Sequence, residues 1–388
     1  MVAMETKAPL RYDIIEFQPG SDLAAHALIG VIKSDACPSR CTVDNIPKQL
    51  MKEIPEESKS FPVKIRTRCP DASWENKDAR DNYDGTYHVM IDVKGEEKQQ
   101  VAMTIGNQNI PGSPFHIPVI RGLVQTVGIT GSKGDVLNLT GLTTNKHSDF
   151  VTADSWNDRV TIHDRDGIYK QSITFTDQFA EPFSPCDVAI SDDNEYFMTD
   201  KNNKQVVVSD EYGKLIRKFG SSEIKAPCGI AINPVNKNVY VSEYNVNCIR
   251  KYTQAGVYIK SFGRSGEKQG EFIRPYLLAI NSKGVLYVPD WNNNRIQVFN
   301  SYDQFMFEFS YTDDGIISRP KAVAIDKNDY VYVSSNHRVT KYDSYGQFIC
   351  RIDSDMDSLN YPYGITVCND GKIAVVDNAN KCIKVFVE

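Results

Sequence analysis

Residues 275–299 read PYLLAINSKGVLYVPDWNNNRIQVF, and the same pattern recurs through the last two thirds of the chain. A proline opens a short apolar run, a turn rich in Asn, Lys or Gly follows, and a second apolar run ends at Asp290. An Asn-rich loop then leads to a third run. The lead-in returns as PCDVAI from Pro185, PCGIAI from Pro227, PKAVAI from Pro320 and PYGITV from Pro362. The second run ends at Asp154, Asp200, Glu243, Asp290, Ser334 and Asp377 in the six copies. DSWNDRV, DKNNKQV, EYNVNCI, DWNNNRI and DNANKCI align without a gap, whereas SSNHRV is shorter. A fourth run closes a copy, as in KLIRKFG, VYIKSFG, FMFEFS and QFICRID.

Each run is a short stretch of Val, Ile, Tyr and Phe between turn residues, with no helical periodicity in competition, so each copy predicts a four-stranded antiparallel meander. Six such units at a period of about 43 to 47 residues predict a six-bladed β-propeller over residues 121–388. The last copy stops after its third strand, CIKVFVE. LVQTVGITGSKGDVLNLTGL from Leu123 aligns with YIKSFGRSGEKQGEFIRPYLL from Tyr258, an outer strand and its exit loop. The stretch Leu123 to Val127 is therefore expected to pair with Cys382 to Val387 and close the ring, which removes a sheet edge.

These repeats resemble the NHL repeat family, six-bladed propellers with an Asp-x-x-Asn-x-Arg-Ile pattern that Asp290, Asn293, Arg295 and Ile296 match best. Ahead of them, DGTYHVMID and VAMTI alternate apolar with polar residues, and GSPFHIPVI opens another strand. This resembles the C-terminal half of a filamin-type immunoglobulin-like sandwich, expected over residues 34–120, with FPVKIRT from Phe61 among its earlier strands. Residues 1–33 resemble the lead segment that joins a coiled coil to such a domain. The fold class is thus all-β, a filamin-type sandwich followed by the propeller, an order similar to the C-terminal region of the tripartite-motif NHL proteins. In that family, RING, B-box and coiled-coil modules supply ubiquitin ligase activity and dimerisation, and the C-terminal part recognises protein or RNA.

The chemistry-bearing residues narrow the function. The one close cysteine pair, Cys37 and Cys41, lacks a second pair or nearby histidine, so no RING or B-box zinc site is read and no ligase activity is assigned to these residues. The six histidines have no metal-ligand spacing, which argues against a zinc-dependent lyase. No nucleophile elbow or phosphate-binding glycine loop occurs. Asp and Asn at turns are read as backbone caps rather than calcium ligands, and Asp290–Arg295 and Asp154–Arg159 as links within blades. The expectation is a non-catalytic module with no metal, cofactor or small-molecule substrate. No leader peptide or apolar span is visible, and most of the nine cysteines lie singly in strand-like runs, so a cytoplasmic location with reduced thiols is expected.

In an up-and-down meander, the loop leading into a blade and the loop between its second and third strands share one face. That face is expected to carry Trp156, Tyr244, Trp291 and His337 from the mid-blade loops, and Arg274, Tyr276, Arg319, Lys321, Tyr361 and Tyr363 from the lead-ins. Lys201, Lys204 and Arg295 fall near it. Trp, Tyr and Arg dominate interface energetics, so this rim is the expected binding surface; packing between blades is the competing role for the aromatics beside proline. Net charge is −6 for the whole chain, but residues 201–300 carry roughly +8, against about −7 for 121–200 and about −4 for 301–388. The strand pairs Arg217–Lys218 and Arg250–Lys251 are read as a solvated flank on outer strands. A protein partner is the leading expectation. RNA is the alternative, through stacked bases and clamped phosphates, and is opposed by a propeller charge of about −3.

Overall fold

The computed structural model describes residues 138–388 other than 176, 177 and 314, and before them the strands that fall between residues 32 and 128. Most of the 1–33 lead segment, and Cys37 with it, lies outside the described residues. The chain divides into two compact units, Gly122–Phe386 and Met1–Arg121 with Val387–Glu388. In the first part of the chain, Arg40–Val43 and Tyr87–Asp92 pair at the middle of one antiparallel sheet, flanked by Ile32–Ser34 and Ala79–Asp81. Val63–Arg68 and Lys98–Ile105 pair at the middle of another, which also holds Trp74–Lys77, Gln108–Asn109 and Phe115–Pro118.

The second part is a six-bladed propeller. The second blade shows the plan: Pro185–Ile190, Tyr196–Asp200, Gln205–Ser209 and Leu215–Phe219 run from the axis outward as neighbours in one antiparallel sheet. The sixth blade consists of Pro362–Val367, Ile373–Asp377, Cys382–Val387 and, outermost, Gly122–Gly128. The closure expected from sequence is therefore present. Most apolar side chains are buried in layers between neighbouring blades, and one cluster also joins Cys186, Cys228, Leu277, Ala322 and Ile365 near the axis. Val160, Ile162 and Phe175 pack on Val188, Tyr196 and Met198 between blades one and two, and Val127, Val376 and Val385 pack on Leu139 and Phe150 between blades six and one. Each such side chain contributes about 1.5–3 kcal/mol by leaving water, and a propeller needs all six layers to be filled.

Polar groups set the register. The acid ending the second strand is fully buried in five blades, at Asp154, Asp200, Glu243, Asp290 and Asp377. One side of each carboxylate accepts a backbone N–H from the chain leading into its blade: Asn138, Ser184, Ala226, Ile273 and Asn360 respectively. The other side holds the following loop. Asp290 Oδ2 accepts from Asn293 Nδ2 at 2.9 Å, Arg295 Nε at 2.9 Å and Gln297 Nε2 at 3.1 Å. The Asn three residues on repeats this at Asn157, Asn203 and Asn380. One residue earlier, hydroxyls bridge blades: Thr199 Oγ1 donates to the Cys228 carbonyl at 2.7 Å and Ser242 Oγ to the Tyr276 carbonyl at 2.6 Å.

Three expectations need correction. In blade five the acid's position is Ser335, not Ser334, because Ser335 pairs with both Pro320 and Arg338 as Asp200 pairs with Pro185 and Gln205. Ser334 instead takes the bridging position and donates to the Tyr363 carbonyl. The missing carboxylate is partly replaced by Asp353, which accepts from Val339 N and pairs with Arg351. Second, Arg250 and Lys251 lie on a third strand, Cys248–Tyr252, rather than an outer one. Arg250 is tied to Glu243, and Lys251 is buried against Asp303, which also meets Lys260 and the Tyr240 hydroxyl. Third, PYLLAI yields only the short strand Ala279–Ile280. Pro289 in the adjacent strand has no N–H, and Leu277 N turns to the next blade, donating to the Lys321 carbonyl at 3.0 Å.

The innermost strands surround a cavity of about 280 Å³. Asp187 lines it, with Oδ1 accepting from Val188 N and Oδ2 from Ile230 N of the next blade, both at 2.9 Å. Burial pushes its carboxyl up to about 7 in spite of these hydrogen bonds.

Two outcomes follow from these buried acids. Asp290→Ala leaves Arg295 Nε, Asn293 Nδ2 and the Ile273 N–H without their acceptor, and should cost about 3–5 kcal/mol in urea unfolding followed by tryptophan fluorescence; a loss below about 1 kcal/mol would remove the acid from its central place. Because the folded-state pKa of Asp187 is raised, its favourable contribution is complete below the ordinary carboxylate pKa and is lost as pH rises through about 7. The fall in melting temperature between pH 5 and 8 should therefore be shallower in Asp187→Asn than in the parent, and equal slopes would contradict the assignment.

Candidate functional site

In blades four to six the residue preceding the proline of the lead-in takes an unusual backbone. Arg274, Arg319 and Tyr361 have φ of 61°, 51° and 54°, a left-handed conformation that costs about 1–3 kcal/mol unless its surroundings impose it. They do so here. Arg274 N donates to Asn247 Oδ1 of the previous blade at 2.8 Å, and Arg319 N to Asn294 Oδ1 at 2.9 Å. The carbonyl of Arg274 accepts from Trp291 N, and that of Tyr361 from Asn378 N. Lead-in and mid-blade loop are thereby fastened together on the same face, as the meander requires.

Their side chains form a continuous chain of stacked rings and cations. The Arg274 guanidinium lies 5.2 Å from the Tyr244 ring centroid and 5.5 Å from that of Trp291. Arg319 covers Trp291 at 5.1 Å. Tyr244 meets Tyr276 edge-on at 5.5 Å, and Tyr276 meets Tyr363 at 6.0 Å. Lys321 Nζ sits 4.0 Å from the Tyr363 centroid and 4.7 Å from that of Tyr361, whose ring also meets His337 at 5.3 Å. Each cation–aromatic contact contributes about 0.5–1 kcal/mol where exposed and more where water is excluded. Arg274, Arg319, His337 and Tyr361 remain exposed to solvent, while Tyr244, Tyr276, Trp291 and Tyr363 are half-buried.

Other residues expected at the rim lie elsewhere or do other work. Trp156, 72% exposed on blade one, and the exposed Lys201 and Lys204 on blade two stand apart from this ring stack among the described residues. Arg295 is a correction: it is buried, and its guanidinium is occupied by Asp290, Glu308 and the carbonyls of Lys268 and Glu271. It fastens the blade and offers nothing to a ligand.

At the centre of the face is a ring that sequence reasoning did not assemble. The residue after the opening proline is Cys186, Cys228, Tyr276, Lys321 and Tyr363 in blades two to six, with Thr140 in the first. Thr140 Oγ1 donates to the Cys186 carbonyl at 2.6 Å, and the Cys186 and Cys228 sulfurs are 3.1 Å apart. Tyr276 and Tyr363 are hydrogen-bonded through their hydroxyls, and burial raises the pKa of both. Lys321 is the exceptional member. It is only 5% exposed, and its Nζ has no hydrogen-bond partner. Burial first, and then Arg319, lowers its pKa to about 8. The signal was present as one position read across aligned copies.

Among the described residues, no cluster of His, Cys, Asp and Glu could hold a metal ion, and no helix is long and apolar enough to cross a membrane. The NHL repeat family matches residues 359–386. Protein brain tumor of Drosophila melanogaster is 34% identical over 130 residues, covering 32% of this chain and 12% of that protein. B-box type zinc finger protein ncl-1 of Caenorhabditis elegans is 35% identical over 130 residues, 32% of this chain and 15% of that one. E3 ubiquitin-protein ligase TRIM71 of Rattus norvegicus is 31% identical over 78 residues, 20% and 9%. The matches thus span 15% or less of each relative's length. Among solved structures, a Bacteroides thetaiotaomicron protein of unknown function superposes with a TM-score of 0.59 at 13% identity, covering 96% of this chain and 99% of that one. Virginiamycin B lyase from Staphylococcus aureus gives 0.51 at 16%, covering 68% and 99%. At such identities the likeness is one of fold.

An ammonium held out of water without a carboxylate or carbonyl destabilises the free protein. Lys321→Met, which keeps the apolar stem, should stabilise it by about 1–3 kcal/mol at pH 7. The folded pKa of this base is lowered, so the parent's deficit should shrink as pH rises from 8 towards 10.5. A destabilised variant, or a constant difference across that range in thermal melts, would contradict the burial of an uncompensated charge.

Proposed function

Because the propeller carries the NHL repeats of the tripartite-motif NHL family, we propose that this chain is a recognition module that binds protein partners through the ringed face of blades three to six. The observation that carries this reading is the unbroken run of Arg319, Trp291, Arg274, Tyr244, Tyr276, Tyr363, Lys321 and Tyr361, in which each cation lies on an aromatic ring. These side chains present large apolar area at little conformational cost, and the guanidiniums keep N–H groups free to pair with a ligand. The preceding residues, 34–120, are read as a filamin-type immunoglobulin-like domain that comes before the propeller, residues 121–388, in the chain. The pairing of their strands in two antiparallel sheets is consistent with such a sandwich. Catalysis is not part of this reading. Within a longer protein, a ligase module of the kind named for TRIM71 would act on targets held here.

RNA is the second reading, favoured by the same alternation of rings and cations, since unpaired bases stack on aromatics and arginines. It is weakened by the acidic character of blades one and two up to residue 200. The two readings separate in one comparison. Capture of partners from a lysate by the full chain should be lost in Arg274→Ala/Trp291→Ala with the circular dichroism spectrum retained, whereas a labelled random RNA pool should bind weakly and equally to both proteins in fluorescence anisotropy. Sub-micromolar RNA binding that weakens steeply with salt and is abolished by the double substitution would put RNA first. Unchanged capture would displace the site.

A further inference from the structure

The face described above contains one charge that the protein itself leaves unanswered. Lys321 Nζ is buried, has no hydrogen-bond partner, and lies between the rings of Tyr361 and Tyr363. Two other buried lysines are paired with carboxylates, Lys251 with Asp303 and Lys384 with Asp377, and a third, Lys341, also lies over two rings, those of Tyr330 and Tyr332. The neighbouring charge is another cation, Arg319, whose guanidinium is exposed and stacked on Trp291. No carboxylate is hydrogen-bonded to either Lys321 or Arg319 among the described residues. The backbone of Lys321 is also fixed, because its carbonyl accepts from Leu277 N of blade four.

Resting on the reading of this face as a protein-binding surface, we propose that Lys321 is the anchor for a single carboxylate, an Asp or Glu side chain of an acidic peptide segment, which enters between Tyr361 and Tyr363 and is completed at its outer oxygen by Arg319. The chemistry selects this ligand. A carboxylate is planar, carries one charge and is slim enough to approach an ammonium walled by rings, and it replaces the missing hydrogen-bond acceptor outright. A phosphodiester backbone would bring bulky sugars to a cation that is only 5% exposed, and its affinity normally requires several accessible cations at regular intervals. Burial makes the pairing strong once formed, because water competes poorly there.

The test uses the full chain and four probes in fluorescence anisotropy or competition: capped octaglutamate, capped octaglutamine, inorganic phosphate and a dodecauridylate. Octaglutamate should bind at low salt, at least tenfold tighter than octaglutamine. Lys321→Met should weaken it at least tenfold and the exposed Arg319→Gln should weaken it by a smaller factor, both with unchanged circular dichroism. Equal octaglutamate affinity in the parent and in Lys321→Met overturns the proposal, as does no binding of octaglutamate at low salt. Loss of phosphate or dodecauridylate binding in Lys321→Met with octaglutamate unaffected overturns it in favour of a phosphate ligand. If octaglutamate fails while partner capture still depends on Arg274 and Trp291, the anchor is wrong and the recognition face stands; if both fail, the face itself is misplaced.

Discussion

A buried carboxylate at the end of the second strand, present in five of the six blades, is the interaction on which this propeller depends. A blade is a small twisted sheet with no internal reason to stop its strands at one height, and loops of different composition follow each strand. The carboxylate supplies that reason. With one oxygen it takes a backbone N–H from the arriving chain, and with the other it takes the Asn and Arg of the departing loop. Two loops distant in sequence are thereby fixed on one face. An acid taken from water this completely is tolerated only because its lone pairs are occupied, so Asn157, Asn203, Asn293 and Asn380, and the basic or amide side chains five or seven residues on such as Arg295, Gln205, Arg250 and Lys384, serve to solvate it.

The binding face inherits its geometry from this arrangement. At Arg274 and Arg319 the residue before the proline is left-handed, and Asn247 and Asn294 of the previous blades hold it there by accepting its N–H. The guanidiniums then have rings on which to lie. Blade five, with a shortened loop and Ser335 where the acid would stand, departs from this pattern, and it is the blade that contributes Lys321 and His337. The weakest copy of the repeat thus carries the least ordinary residue of the face. A repeat that has relaxed one structural rule has room for a side chain that serves something other than the fold.

How much of this could be read in advance depended on whether the signal was periodic. Strand boundaries, the number of blades and the return of Leu123–Val127 to the last blade all follow from comparing copies, because apolar alternation and turn residues recur in register. The loop geometry was legible as well, since strand direction alone assigns the lead-ins and mid-blade loops to one face. What escaped were features decided by distance between copies. Arg295 was counted near the rim, but its carbon stem and guanidinium fill a pocket made by Lys268 and Glu271. Arg250 and Lys251 looked like a solvated flank because their acidic partners, Glu243 and Asp303, are contributed by other strands and another blade. The Ser335 register shift could not be seen from a gapped alignment of SSNHRV. The unpaired state of Lys321 has no sequence signature, since a missing partner is a property of the assembled ring.

The seam in the sixth blade has a consequence for how the ring is made. Gly122–Gly128 leaves the ribosome early, yet its only neighbour in the sheet, Cys382–Val387, is synthesised more than 250 residues later. At about 5–20 residues per second that is a delay of roughly 10–50 seconds. Throughout that interval an apolar strand has its hydrogen-bonding edge unpaired, and blade one lacks the neighbour that covers Leu139 and Phe150. Until the last strand is made the propeller is an open arc, and its two ends, one an unpaired strand edge and the other an uncovered apolar layer, meet only when Cys382–Val387 is inserted between them.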